Sequence, residues 1–267
     1  MVRVAIHGAA GRMGRALIRL ALTNPAVSLG AALESSEHPD LGKDTGSLAG
    51  LEPCGIILSR LSDPLNADVL LDFSSPEGTR NLLSHLSVHP IPLVSGTTGL
   101  SDADLASLSN LACSVPVIWS PNFSIGANLL FELVRRSASA LGAETEVEIV
   151  EVHHHNKKDA PSGTAVRLAE EAATGLGQDI TKAAIYGRHG LVGARKHGEI
   201  GLHAVRGGAV VGEHTVYFFS PYERLELTHR AESRDALASG ALRVAEWLAV
   251  RPAAWYTMAQ FIQGVTP

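Results

Sequence analysis

Apolar residues in this chain first follow the rhythm of a buried strand, then break on glycines, then return at helical spacing. Val2-Arg3-Val4-Ala5-Ile6 leads into Gly8-Ala9-Ala10-Gly11-Arg12-Met13-Gly14, after which Met13, Ala16, Leu17, Leu20 and Ala21 share one helical face. The pattern predicts strand, glycine turn and amphipathic helix. Val27 to Leu33 reads as a second strand ending at Glu34, and short apolar runs at Val69 to Phe73, Ile91 to Val94 and Val115 to Trp119 alternate with helical stretches. Such alternation predicts α/β architecture with a Rossmann-like, doubly wound parallel sheet.

From about Ser124 the pattern changes. A helix through Arg136 leads to Glu146 to Val152, where Val147 and Ile149 alternate with Glu146 and Glu148 as in a half-buried strand. Gly201 to Val205, Val211 to Phe219 and Arg224 to Arg230 read as three more strands. Gly207-Gly208 suits a tight hairpin turn between the first two, and Ser220-Pro221 a break before the third. A second α+β domain with an open mixed sheet is therefore expected. Arg234 to Ala249 is again helical, with Leu237, Ala241, Val244, Ala245 and Leu248 on one face suited to packing back on the first domain. The expected division is residues 1–123, joined by 234–267, as a dinucleotide-binding domain, and 124–233 as a substrate-binding and oligomerisation domain. Between Gly175 and Gly198, the glycines with Arg188, Arg195 and Lys196 suggest a mobile loop.

Charge and composition narrow the function. The chain's 22 Lys plus Arg against 27 Asp plus Glu leave it mildly acidic, and no basic run suits phosphate tracking, so nucleic acid is not an expected partner. Cys54 and Cys113 are far apart and form no Cys-x-x-Cys pair, which points to a reducing compartment rather than disulfides or structural zinc. No apolar run reaches the roughly 18 residues of a membrane span, and the first strand begins at once with no leader pattern. A cytoplasmic protein is expected.

Candidate chemistry concentrates in two places. The glycine turn, spaced G-x-x-G-x-x-G with Ala10 where the commoner motif has its second glycine, lets Gly8, Ala9, Ala10, Gly11, Arg12 and Met13 approach a pyrophosphate at a helix N-terminus. Mere strand-to-helix packing is the alternative. Glu34, 26 residues beyond Gly8, is near the roughly 20-residue offset of a ribose-binding acid, the alternative being a surface glutamate. Gly96-Thr97-Thr98-Gly99 supplies a second small-residue loop at a strand's carboxyl end, or else an ordinary turn into a helix. The other place is Glu151-Val-His-His-His-Asn-Lys-Lys-Asp-Ala-Pro-Ser-Gly-Thr164. If the strand continues, His153 and His154 point to opposite faces and need different roles. A histidine relays protons near neutral pH and Lys157 is an ammonium donor. Pro161, suited to a first helical turn, with Ser162, Gly163 and Thr164 makes a carboxylate cradle, against the plainer reading of an N-cap worth about 1 kcal/mol. Consecutive strand histidines cannot converge on one ion, so no metal is expected.

These residues carry a resemblance. Val4-Ala5-Ile6-His7-Gly8 through Gly14, Glu34, Asp72-Phe73-Ser74, Gly96-Thr97-Thr98, Pro121-Asn122-Phe123-Ser124 and Glu151 to Thr164 resemble the bacterial 4-hydroxy-tetrahydrodipicolinate (dihydrodipicolinate) reductase family. So do Val211-Gly212-Glu213-His214-Thr215, Glu223 to His229 and Ser233-Arg234. The resemblance implies reduction of a cyclic dicarboxylate to tetrahydrodipicolinate with loss of water, using NADH or NADPH, in lysine and diaminopimelate synthesis. It also implies a homotetramer built through the second domain's sheet. Carried onto this chain, Gly8 to Met13 cradle the pyrophosphate and Glu34 holds the adenosine ribose, while Gly96 to Thr98 and Ser120, Pro121, Asn122 and Phe123 line the nicotinamide side. His153 and Lys157 match the proton-donating pair, His154 a substrate contact, and Gly163 and Thr164 the carboxylate cradle. Where some relatives carry an arginine after the acidic residue, this chain has Ser35-Ser36, with Arg12 and Lys43 the nearby cations, which leans toward NADH or dual use. Lys158 and His155 read as solvated bystanders. Another two-domain dehydrogenase of a small amino or hydroxy acid would lack the Lys157 to Thr164 string, and a non-catalytic dinucleotide sensor would not need both His153 and Lys157.

Overall fold

The computed structural model describes residues 1–61 and 65–264. Two compact units divide the chain, one of residues 1–125 with 235–267, the other of residues 126–234. The last three residues of the expected 234–267 segment lie outside the described residues.

In the first unit β1 (Val2–His7), β2 (Val27–Glu34), β3 (Leu58–Arg60), β4 (Val69–Asp72), β5 (Leu93–Ser95), β6 (Val117–Trp119) and β12 (Trp255–Tyr256) form a sheet ordered β12-β6-β5-β4-β1-β2-β3. Every pairing is parallel. The reason is burial on both sides. Val4 and Ile6 pack with α1 (Arg12–Thr23) and α8 (Asp235–Leu248), whereas Ala5, Leu70 and Leu93 pack with α3 (Pro76–Leu86) and α4 (Asp102–Leu111). The short α2 (Thr45–Leu48) and α9 (Met258–Gln263) complete the unit. The chain winds outward from β1 to β3, then crosses to β4 and winds the other way. Order therefore reverses between β1 and β4, where the carboxyl ends of an open parallel sheet form a ligand-binding crevice.

The second unit has β7 (Glu146–His153), β8 (Ala184–Tyr186), β9 (Ile200–Arg206), β10 (Gly212–Phe219) and β11 (Arg224–Ala231) in the order β11-β10-β7-β9-β8. The sheet is mixed: β10 is antiparallel to β7 and β11, whereas β9 is parallel to β7 and β8. α5 (Ile125–Leu141) and α6 (Gly163–Leu176) cover Val147, Ile149, Val216 and Phe218, and the short α7 (Ile180–Ala183) follows.

Three local expectations change. Gly207-Gly208 makes no hairpin, because β7 lies between β9 and β10; the turn instead carries the chain across the end of β7, where Gly207 N donates to His153 O at 2.9 Å. Pro161 stands outside α6, whose N-cap is Ser162. The 175–198 stretch holds α7 and β8, and Arg188 and Arg195 both anchor on Glu148 (2.9 and 3.1 Å), so the basic residues tie the segment to the sheet.

Candidate active site

The glycine turn is dictated by close approach. Gly8 has φ +76°, and a Cβ there would sit 2.6 Å from the Phe73 carbonyl oxygen. At Gly14 a Cβ would fall 2.5 Å from Ala9 Cα, so helix and turn meet only without side chains. Gly11 is the N-cap of α1 and offers no side-chain oxygen, which leaves the positive end of the helix to a ligand. A cavity of 760 Å³ opens there, lined by His7, Gly8, Ala10, Gly11, Glu34 to His38, Arg60, Leu61, Phe73 to Ser75, Glu77, Gly78 and Asn81. Glu34 reaches back to the turn, its Oε2 accepting from Ala10 N at 3.2 Å.

Arg12 and Met13 open α1 beside this cavity without lining it, and of the remaining predicted cofactor residues Gly96 and Phe123 lie against Phe73, which does line it. A Cβ at Gly96 would strike the Phe73 ring, and Phe123 packs edge-on against that ring with centroids 5.6 Å apart. Asn122 N donates to Ser120 Oγ at 3.2 Å, and Asn122 Oδ1 accepts from Ser124 N at 2.8 Å, which shapes the Ser120 to Phe123 loop around exposed Pro121. Thr98 is exposed, whereas Thr97 is drawn inward by Asp72.

The sequence assigns Asp72 no role, and the structure gives it one. Fully buried, it accepts from five side chains: His7 (2.9 Å), Ser74 (2.6 Å), Thr79 (2.7 Å), Ser95 (3.1 Å) and Thr97 (3.0 Å). Burial alone would raise its carboxyl, but the bonds from His7, Ser74 and Thr79 hold it below the usual range, so it stays an anion.

In the second unit another buried carboxylate organises the histidine segment. The alternation of β7 places Glu151 and His153 on the inward face with Val147 and Ile149. Glu151 Oε2 lies 2.5 Å from His153 Nδ1, its Oε1 accepts from Ser162 N at 2.9 Å, and Arg206 clasps both oxygens at 2.7 and 2.8 Å. Burial would raise the Glu151 carboxyl, yet Arg206, His153 and the Ser162 amide outweigh it and lower it. Ser162 Oγ caps α6 through Ala165 N and meets His214 Nε2 at 3.0 Å, and the His214 ring stands edge-on to His153 with centroids 5.2 Å apart. Burial, with the nearby His153, pushes His214 from its ordinary 6.5 to about 4, so it is neutral at physiological pH.

β7 ends at His153, so His154 lies past the strand and is half-buried; its backbone N donates to Val210 O at 2.8 Å. Its imidazole is lowered by desolvation and by the positive field of Arg234, His153, Lys157 and His155. His155 is more than a bystander, since its Nδ1 lies 2.8 Å from the Gly208 carbonyl in the crossing loop. Lys157 Nζ pairs with Asp159 at 2.9 Å. Gly163 is exposed at the start of α6, and a Cβ there would meet nothing within 4 Å, so no internal contact demands glycine. Thr164 sits in the same first turn.

Among the described residues no group of three His, Cys, Asp or Glu side chains is placed to hold a metal ion, and no helix is long and apolar enough to cross a membrane. Sequence reasoning gave no role to Glu151, Arg206, His214, His7, Arg60 or Asp72, which the structure brings to the histidine segment or to the cavity and its buried carboxylate. For Glu151 the signal existed: it shares parity with Val147 and Ile149 rather than with Glu146 and Glu148.

The family model described as dihydrodipicolinate reductase, N-terminus, matches residues 2–123, and that described as dihydrodipicolinate reductase, C-terminus, matches residues 126–262. The chain belongs to the dihydrodipicolinate reductase family. A 4-hydroxy-tetrahydrodipicolinate reductase of Anaeromyxobacter dehalogenans is 46% identical over 264 residues, covering 98% of each chain. One from Syntrophotalea carbinolica is 46% identical over 260 residues, 97% of each. Dipicolinate-bound dihydrodipicolinate reductase from Paenisporosarcina sp. TG-14 aligns with a TM-score of 0.75 at 26% identity, over 96% of this chain and 97% of that one. Membership in the dihydrodipicolinate reductase family makes the chain an oxidoreductase that uses a nicotinamide dinucleotide, and the uncapped helix end, the bare glycine turn and the adjoining cavity fit that group.

Proposed function

We propose that this enzyme reduces 4-hydroxy-tetrahydrodipicolinate to tetrahydrodipicolinate, with loss of water, in lysine and diaminopimelate biosynthesis. The observation that carries the reading is the Glu151-His153 pair beside the Ser162-capped N-terminus of α6, in a chain of this family. A dicarboxylate taken out of water needs compensation at each carboxylate. Gly163 and Thr164 at the helix end, with His154 alongside, receive one of them in this reading, while Ser162, buried and committed to Glu151, His214 and Ala165, caps the helix rather than meeting the ligand. Lys157, with His153, delivers the proton. Glu151 fixes the His153 ring by accepting from Nδ1, which leaves Nε2 to act. Asp159, 2.9 Å from Lys157 Nζ, positions that side chain.

Gly8 to Met13 hold the pyrophosphate of the dinucleotide, Glu34 its adenosine ribose, and Gly96 to Thr98 with Ser120 to Phe123 its nicotinamide side. The nicotinamide, when bound, supplies the hydride. Either NADH or NADPH serves. Residues 126–234 act as the substrate and assembly unit of a cytoplasmic homotetramer. Two features support this: β11 carries no buried residue, so its face is available to another copy, and Cys54 and Cys113 are both free thiols.

The test is oxidation of NADH and NADPH in parallel by the purified protein, with substrate generated from pyruvate and aspartate semialdehyde by the preceding enzyme. Substrate-dependent oxidation is expected, from a preparation whose mass by light scattering is four chains. Folded protein that binds dinucleotide yet oxidises neither cofactor would sink the reductase reading.

A further inference from the structure

Arg60 closes β3 and stands opposite Glu34 in the parallel register of β2 and β3. It lines the same cavity as Glu34, together with Ser35, Ser36 and His38. The cations nearest in sequence are otherwise engaged: Lys43 lies 2.6 Å from Asp40, and Arg15 lies 3.7 Å from the same carboxylate. Neither these two nor Arg12 lines the cavity. Arg60, by contrast, has no side-chain partner among the described residues. His38 accepts the Asp40 amide on Nδ1 at 3.2 Å, so its other ring nitrogen, Nε2, carries the proton and is a donor.

An acid at the end of this strand favours ribose hydroxyls and opposes a phosphate in the same place. Here the opposition is blunted, because Glu34 accepts from two backbone amides, Ala10 N on Oε2 and Ser35 N on Oε1, both at 3.2 Å. A guanidinium one strand further out offers a planar fork matched to phosphate oxygens. We propose that Arg60, with the hydroxyls of Ser35 and Ser36 and Nε2 of His38, is the receptor for the 2′-phosphate of NADPH, which lets one site use both dinucleotides. The assignment rests on the dinucleotide reading of the cavity given above.

Binding separates the two. NADH and NADPH are titrated by their fluorescence, and 5′-AMP and adenosine 2′,5′-bisphosphate by calorimetry, on the wild-type and Arg60→Ala proteins. Loss of a charged hydrogen-bond donor should weaken NADPH and the bisphosphate about tenfold, while NADH and AMP change less than about twofold. Arg60→Lys should recover part of the loss, as a point charge without the fork. NADPH affinity indifferent to Arg60, or equal losses for NADH and NADPH, would overturn the phosphate receptor. Failure of the wild-type protein to bind either dinucleotide would instead overturn the reading of the cavity itself, and this assignment with it.

Discussion

A carboxylate with no exposed surface, 2.5 Å from an imidazole nitrogen, decides what that imidazole can do. Glu151 holds the Nδ1 side of His153, and Arg206 and the Ser162 amide keep Glu151 ionised, so the ring has one free nitrogen and a fixed orientation. Lys157, half-buried, is tethered differently, by the exposed Asp159 at 2.9 Å. His153→Ala and Lys157→Ala are expected to lower kcat by about 10²- to 10⁴-fold, the range of general acid–base catalysis, while the dissociation constant for NADH stays unchanged. Glu151→Gln keeps the shape and removes the charge. Its loss of kcat should be smaller than that of His153→Ala, with NADH binding again intact, and combining it with His153→Ala should add little because the two act as a unit. Steady-state kinetics with fluorescence titration of NADH checks all four proteins. Loss of NADH binding equal to the loss of turnover would place these residues in the nucleotide site instead.

At the scale of elements, Asp72 does for the parallel sheet what Glu151 does for the mixed one. Its partners come from the end of β1, the β4–α3 loop, the first turn of α3, the end of β5 and the loop after it, so a single carboxylate pins neighbouring strand ends at the point where strand order reverses. Asp72→Ala would strand those buried donors at a cost of about 3 to 5 kcal/mol, and Asp72→Asn less, since an amide oxygen still accepts. Urea unfolding should show that order, with NADH affinity falling in parallel as the Gly8 and Gly96 loops lose their anchor; an alanine variant as stable as wild type would refute it. Much of this architecture was legible in the chain: the change from strand to helical periodicity around Gly8 to Gly14 marks the glycine turn between β1 and α1, and the parity of β7 places Glu151 inward. What was not legible depends on distant partners. Asp72 meets His7 across 65 residues and Glu151 meets Arg206 across 55. Nor does alternation specify neighbours: β9 and β10 read as a hairpin, but the strand between them is β7, and only that insertion brings Gly207 and Gly208 over His153 and His155.

For the whole molecule, the same buried groups set the response to acid, and two of them act in separate pH windows. His214, faced by His153, Ser162, His229, Lys157 and Glu151, is depressed to about 4 chiefly by burial. Between its ordinary 6.5 and that value the unfolded chain binds a proton that the folded one refuses, so stability is complete above 6.5 and declines as pH falls toward 4. Glu148 follows. Burial would raise its carboxyl, but bonds from Arg188, His203 and Arg195 bring it from 4.5 to about 2, so its contribution is full above 4.5 and is lost as pH drops through 2. Each shift corresponds to roughly 3 kcal/mol at most, less whatever solvent screening removes from the partly exposed arginines around Glu148. Both residues belong to the 126–234 unit, which should therefore yield to acid in two stages. Guanidinium midpoints measured from pH 7 to pH 3 should fall first between 6.5 and 4.5, then again below 4.5. His214→Gln should flatten the upper stage and Glu148→Gln the lower. A wild-type midpoint level from 6.5 to 4.5 would mean that His214 is free to take up its proton in the folded enzyme, and that the ring beside His153 carries charge where burial and its neighbours argue that it is neutral.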